Sequence, residues 1–194
     1  MKQRLTQLVH DRIKAHLRPG DFAVDATAGN GHDSLLLAEQ VGATGRVCAI
    51  DVQAAAIAAT RECLREAGCL EQVQLHQDNH ATVMAALAEQ SPATARVIVF
   101  NLGYLPGSEK TVQTQAGDTV SALDASGRLL APDGLLLVTA YRAHPGGANE
   151  AEAVASWMRA KESEGWRAEC HDPAPGKKAL PPVLWIIAPP RRSS

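Results

Sequence analysis

A chain of 194 residues, 45% hydrophobic and 21% charged, has the composition of a globular domain long enough to bury one sizeable core. No stretch approaches the ~20 apolar residues of a membrane helix, and residues 1–5 carry no signal-like apolar run, so a soluble cytoplasmic protein with no membrane partner is expected. A formal net charge of −2 excludes a strongly basic nucleic-acid binder and leaves room only for local basic patches.

Leu5, Leu8, Val9, Ile13 and Leu17 recur at helical spacing, so residues 1–18 read as an amphipathic N-terminal helix closed by Arg18-Pro19-Gly20-Asp21. Lys2, Arg4, Arg12, Lys14 and Arg18 stand against Asp11 alone, and Lys177, Lys178, Arg191 and Arg192 make the other end basic too. These are either solvated faces or small patches for phosphate contact, which positions a nucleic acid without reading its sequence. Phe22 to Ala26 is then a short apolar strand containing Asp25, followed by the turn Gly29-Asn30-Gly31 and an apolar helix from Ser34 to Val41.

Arg46 to Asp51 continues as a buried strand, Val73 to Asp78 as a third strand, Arg96 to Asn101 as a continuously apolar fourth and Leu135 to Ala140 as a fifth. Helices alternate with them at Ala54 to Ala67, through Val83 and Leu87, at Thr119 to Leu130 and at Glu150 to Gly165. Trp166 to His171 and Val183 to Ala188 have no helix between them and form a hairpin. The expected fold is α/β and Rossmann-like, a doubly wound, mostly parallel seven-stranded sheet with a C-terminal antiparallel hairpin, which is how class I methyltransferases close. A single domain over residues 1–194 is expected, with 189–194 as a flexible tail. Cys48, Cys63, Cys69 and Cys170 form no Cys-x-x-Cys pair and no two histidines share a zinc-helix spacing, so no metal is expected.

The turn after the first strand marks a pocket for a nucleotide-type cofactor, since glycines permit close backbone approach and the next helix begins with free N–H groups. A dinucleotide fold uses Gly-x-Gly-x-x-Gly around a pyrophosphate. Here Gly29 and Gly31 supply the first two glycines, but Ser34 stands at the third place. Asp33 in the first helical turn repels phosphate and attracts a cation. Asp25 and Asp33 around this turn therefore suit S-adenosylmethionine, which carries a sulfonium and an ammonium and no phosphate. Asp51 lies twenty positions beyond Gly31, where a carboxylate can accept from both ribose hydroxyls. Asp78, with Asn79 and His80, ends the third strand near where an adenine amino group would lie.

A second constellation, Asn101-Leu102-Gly103-Tyr104-Leu105-Pro106-Gly107, follows the fourth strand at the same sheet edge. The Asn101 amide oxygen and the Leu102 carbonyl can accept from a substrate amine and aim its lone pair. Tyr104 can stack on a base, a contact worth roughly 1–3 kcal/mol. Lys110, Arg142 and His144 reach the same edge as candidates for phosphate contact or for shaping the substrate mouth, though ordinary surface charge also accounts for them. Tyr104 and His144 are the candidate proton acceptors.

The pattern Asp-Ala-Thr-x-Gly-Asn-Gly-His-Asp from Asp25 to Asp33, joined to Phe-Asn-Leu-Gly-Tyr-Leu-Pro-Gly from Phe100 to Gly107, resembles the MnmM family over nearly the whole chain. These are S-adenosylmethionine-dependent tRNA methyltransferases, formerly labelled rRNA methylases, that complete 5-methylaminomethyl-2-thiouridine at the wobble position. The resemblance implies a cofactor pocket lined by Asn30, Asp33, Asp51, Gln53, Asp78 and His80. It implies as acceptor the primary aminomethyl group of a wobble uridine in the anticodon region of tRNA. Asn101 and Tyr104 are the candidate catalytic residues, with Leu102, Gly103, Lys110, Arg142 and His144 as candidates toward the substrate. Asn101-Leu102-Gly103-Tyr104 stands where amino-methyltransferases carry Asn-Pro-Pro-Tyr, and Leu-Gly in place of Pro-Pro changes the rigidity of those carbonyls. A methyltransferase of a small-molecule amine or of rRNA is the alternative, and a non-catalytic NAD-binding module is a third reading. A homodimer would enlarge the RNA-binding surface of so small a domain.

Overall fold

The structure, a computed structural model, describes residues 5–103, 116–173 and 180–190. Leu105, Pro106 and Gly107 of the second constellation, the charged ends at Lys2, Arg4, Lys177, Lys178, Arg191 and Arg192, and residues 191–194 of the expected tail lie outside them.

Seven strands form one sheet in the order β3-β2-β1-β4-β5-β7-β6. They are β1 (Phe22–Asp25), β2 (Arg46–Asp51), β3 (Val73–Gln77), β4 (Ala95–Leu102), β5 (Leu130–Ala140), β6 (Arg167–His171) and β7 (Val183–Ala188). The first five are parallel, while β7 runs antiparallel to both β5 and β6. This is the seven-stranded class I methyltransferase arrangement expected from the sequence. The apolar runs of β1 and β4 are buried almost throughout because helices cover both faces of the sheet.

Residues alternate across those faces as the pleat requires. Ile98, Phe100 and Leu102 of β4 join the core under α4 (His80–Gln90), α5 (Ala116–Leu129) and α6 (Gly147–Ser163). Val97 and Val99 face the core under α1 (Leu5–His16), α2 (His32–Val41) and α3 (Ala54–Glu66). Val9, Ile13 and Leu17 bury the inner stripe of the N-terminal segment in that second core. The strand order reverses between β1 and β4, so the carboxyl ends of these two strands flank the crevice in which open α/β sheets bind ligands.

The largest departure from the expected elements is at β5. Pro132-Asp133-Gly134 reads as a turn, which would delay the strand to Leu135. In the structure Leu130 pairs with Ala95 and Leu135 with Val97, so the turn residues form a bulge inside the strand. Arg96 ion-pairs with Asp133, and His16 at the end of α1 meets the Asp133 carbonyl at 2.7 Å. Gly134 is the point of closest approach: a Cβ there would lie 2.7 Å from Leu130 Cγ and 2.8 Å from the Ala95 oxygen. Gly134→Ala is expected to cost about 1–3 kcal/mol through this overpacking. Gly68→Ala meets no atom within 4 Å and should cost only about 1–2 kcal/mol for its positive φ. Urea unfolding of the two variants measures both, and a Gly134→Ala variant as stable as the parent would contradict the bulge geometry.

Candidate active site

The turn between β1 and α2 is strapped to both neighbouring strands, with Ala26 N–H donating to Val99 and Ala28 N–H to Ile50. Asp51 Oδ2 accepts the Gly29 N–H at 3.0 Å and Oδ1 the Gln53 N–H at 2.9 Å, so one carboxylate ties the glycine turn to the start of α3. Gly31 has φ 83° and sits against α3, where a Cβ would come within 2.8 Å of Thr60 Cα. Thr60 donates to the Gly29 carbonyl at 3.2 Å. Asn30 is left exposed at the tip.

Asp25 lies under this turn, fully buried. Its Oδ2 accepts from the Ser34 hydroxyl at 2.6 Å and its Oδ1 from the Thr27 N–H at 3.2 Å. Burial, with the charge of Asp33 adding to it, pushes the carboxyl up to about 7. Among the sequence-selected cofactor residues, Asp25 therefore stands apart: it has no exposed surface to offer a ligand and serves the turn from beneath. Ser34, which occupies the place of a dinucleotide fold's third glycine, supplies its strongest hydrogen bond.

Asp33 faces the crevice. Its Oδ1 lies 2.8 Å from His10 Nε2 on α1, and its Oδ2 accepts from Asn101 Nδ2 at 2.6 Å. The Asn101 N–H donates to Thr27 Oγ1 at 2.7 Å. Because a carboxylate only accepts, the Asn101 amide must turn its nitrogen to Asp33, leaving Oδ1 as its accepting end. Sequence reasoning selected Asp33 and Asn101 but missed His10 and Thr27. Thr27 stands inside the glycine motif and was findable there, whereas His10 carries no local signal.

At the outer strands, Val52 directly after Asp51 is 55% exposed, an apolar surface that sequence reasoning also missed. Asp78 is exposed and accepts the Asn79 N–H, while Asn79 caps α4 and donates to Asp118 at 2.7 Å. His80 is buried edge-on to Phe100, with ring centroids 5.9 Å apart. Burial lowers its basicity, so it is neutral near pH 7, and its Nε2 is buried with no hydrogen-bond partner. None of Asp25, Asp33, Asp51 and Asp78 is paired with Lys or Arg among the described residues. An acidic edge with a glycine turn, an exposed apolar side chain and an unpartnered imidazole nitrogen fits a cationic nucleoside such as S-adenosylmethionine and disfavours a pyrophosphate. No group of three or more metal-ligating side chains occurs among the described residues.

Beside Asp33 and Asn101 a cavity of about 350 Å³ opens between α1 and the hairpin, walled by Leu5, Val9, Tyr141, Pro173, Pro181 and Pro182. Burial and the charge of Asp33 raise the Tyr141 phenol above its ordinary value, so it stays protonated at neutral pH. The Leu102 side chain is core, and its carbonyl accepts the Tyr141 N–H at 3.0 Å. Gly103 packs against the Tyr141 ring. Arg142 makes a two-pronged pair with Asp172 and donates to the Pro181 carbonyl at 2.9 Å, so it braces the proline wall. His144 turns back on its own loop, Nδ1 to the Pro145 carbonyl at 3.0 Å, and does not line the cavity. Tyr104 and Lys110 lie outside the described residues. Arg12 is paired with Glu169, and the Arg18 N–H bonds Asp21 ahead of β1.

The buried carboxylate has a pH consequence. In the folded chain Asp25 keeps to about pH 7 a proton that the unfolded chain loses near 3.8. Its stability contribution is fully present below that lower value and is lost as pH rises to about 7. Asp25→Asn removes this titration. Denaturation midpoints from pH 4 to 8 should show the parent losing ground to the variant as pH rises, and parallel curves would contradict the assignment.

Comparison with known proteins places the chain. The family model described as "Putative rRNA methylase" matches residues 47–188. The chain is 37% identical over 161 residues to a protein of Arabidopsis thaliana named tRNA (mnm(5)s(2)U34)-methyltransferase, chloroplastic, a match covering 79% of this chain and 58% of the plant protein. A "putative rRNA-methylase" structure from Clostridium thermocellum superposes with a TM-score of 0.88 at 32% identity, covering 97% of this chain and 98% of that one. A "putative methyltransferase" from Streptococcus mutans, solved in complex with SAH, superposes with a TM-score of 0.83 at 31% identity, covering 96% and 98%. With its sheet order, its glycine turn and these likenesses in agreement, the chain belongs to the rRNA methylase family of class I methyltransferases.

Proposed function

We propose that the acceptor of this S-adenosylmethionine-dependent methyltransferase is the 5-aminomethyl group of wobble uridine in tRNA, converted to 5-methylaminomethyl. The observation that carries the reading is the Asn101 amide, held through its nitrogen by Asp33 and lining a cavity of about 350 Å³, with its oxygen as the accepting end. The name of the plant relative, at 37% identity, supports a wobble uridine as the base, and the family description favours rRNA as the second reading.

Asp33, Asp51, Gln53, Val52 and His80, with the turn of Gly29, Asn30 and Gly31, would hold the cofactor. When bound, S-adenosylmethionine would supply a methyl group on its positively charged sulfonium sulfur, the S–CH3 bond breaking as the N–CH3 bond forms and S-adenosylhomocysteine leaving as a neutral thioether. The chain's own work is then to present a neutral amine in line. Asn101 Oδ1 accepts one amine N–H and points the lone pair; orientation of this kind is worth up to about 7–11 kcal/mol of a barrier. The apolar wall of Leu5, Val9 and the three prolines excludes water and disfavours the ammonium form. Tyr141, protonated at neutral pH, serves as a hydrogen-bond donor at the rim rather than as a base.

Nucleoside mass spectrometry on tRNA carrying 5-aminomethyl-2-thiouridine, incubated with protein and S-adenosylmethionine, should show a gain of one methyl on that nucleoside. Methylation of rRNA alone, or of neither, would overturn the acceptor assignment. Asn101→Ala should lower kcat by roughly 10- to 100-fold while cofactor affinity holds, and unchanged turnover would remove Asn101 from the mechanism. Arg142→Ala should raise the KM for tRNA by loosening the proline wall and leave the salt dependence of binding unchanged. A true phosphate ligand would instead reduce the salt slope by about one unit.

A further inference from the structure

Asp33 stands in the first turn of α2, where a carboxylate ordinarily serves the free N–H groups of its own helix. Both its oxygens go elsewhere, to His10 from α1 and Asn101 from β4, partners 23 and 68 residues distant in the chain. The side chains of His10 and Asp33 are 27% and 15% exposed, so the contact is only partly screened by water. Since the carboxylate accepts from both sides, His10 presents Nε2–H and Asn101 presents Nδ2–H. The three groups form one chain of hydrogen bonds that ends on the amide of Asn101, a residue lining the cavity, with Oδ1 as its remaining accepting atom.

Two further features give this chain a direction. The helix carrying His10 also walls the cavity through Leu5, Thr6 and Val9, so the position of α1 and the alignment of Asn101 are linked. Val9, Ile13 and Leu17 fix the helix in the core, and Arg12 pins it to Glu169 of β6. His10 is therefore held by a rigid element and transmits that rigidity to Asp33. Without it, Asp33 Oδ1 loses its donor, the carboxylate is free to rotate, and the amide of Asn101 loses the contact that distinguishes its two ends.

We propose that His10 is a positioning residue for methyl transfer, fixing through Asp33 the Asn101 amide with its oxygen toward the acceptor amine. The role rests on the reading of Asn101 as the amine's hydrogen-bond acceptor. It predicts that a donor matters at this place and a titrating ring does not. Glutamine reaches about as far as Nε2 and donates an N–H, whereas leucine matches the bulk without a donor.

The test compares H10L, H10A and H10Q for kcat, KM, cofactor affinity and melting temperature. In parallel, ¹⁵N NMR follows the side-chain amide of Asn101, read without any acceptor. H10L and H10A should lose kcat by roughly 10- to 100-fold at unchanged cofactor affinity, with faster exchange of the Asn101 amide protons, and H10Q should restore both. If H10A melts early, the pair H10L and H10Q decides. Unchanged kcat and amide exchange in H10L would overturn the proposal. So would an H10Q variant that regains the amide signal but not turnover, because His10 would then be transferring a proton. A parent enzyme that fails to methylate tRNA would defeat the acceptor assignment alone, since the amide signal still reports the link from His10 to Asn101.

Discussion

A carboxylate without solvent lies where the sheet reverses its strand order, and the site is arranged around keeping it satisfied. Asp25 has two oxygens to serve and only protein to serve them with, so the Thr27 N–H and the Ser34 hydroxyl must both arrive. Those two demands set the course of the turn and the entry of α2. The entry of α2 in turn decides where Asp33 stands, and Asp33 decides how His10 and Asn101 face the crevice. A stabilising arrangement beneath the turn thus becomes a geometric arrangement above it.

The same edge concentrates negative charge. Asp33 raises the cost of ionising Asp25, and the arrangement persists because Asp25 can hold a proton. Such a site is unfavourable when empty of positive charge and favours a ligand that brings it. The proposed acceptor would place the opposite requirement on the other side, since an amine would have to arrive without its proton. The structure separates the two by chemistry: carboxylates at the turn, prolines and aliphatic side chains on the wall of the cavity. Among the described residues, Asp33 and Asn101 belong to both.

How much of this is legible in the sequence depends on the range of each interaction. Apolar runs, the first three strands closing on Asp25, Asp51 and Asp78, gave away the parallel strands, and the lack of a helical pattern between Trp166 and Val183 gave away the hairpin. The bulge in β5 was hidden, because Pro132-Asp133-Gly134 has the chemistry of a turn and only the partners Arg96 and Ala95, far along the chain, keep it within the strand. The residue types around the glycine turn were informative because they stand together in one short motif, and Thr27 was findable there although its partner Asn101 lies 74 residues on. His10 was invisible, since a histidine beside Val9 on an amphipathic helix looks like any other boundary residue. Arg142 reads either as a phosphate contact or as part of the substrate mouth because its charge is visible in the sequence while its counter-charge, Asp172, lies thirty residues away.

The placement of β7 between β5 and β6 carries a consequence for how the chain is born. β7 follows every other strand, yet β6 has no other neighbour in the sheet and β5 needs β7 to cover its outer edge. During synthesis β5 therefore emerges from the ribosome with an open edge, a template for pairing with other chains. Pro181, Pro182 and the Arg142 partner Asp172 are made before β7, but the pairing of Val183–Ala188 with β5 and β6 is what anchors them beside the cavity. An organised acceptor cavity is consequently among the last things this chain makes, and a nascent chain stalled before β7 is a species for chaperones rather than a partial enzyme.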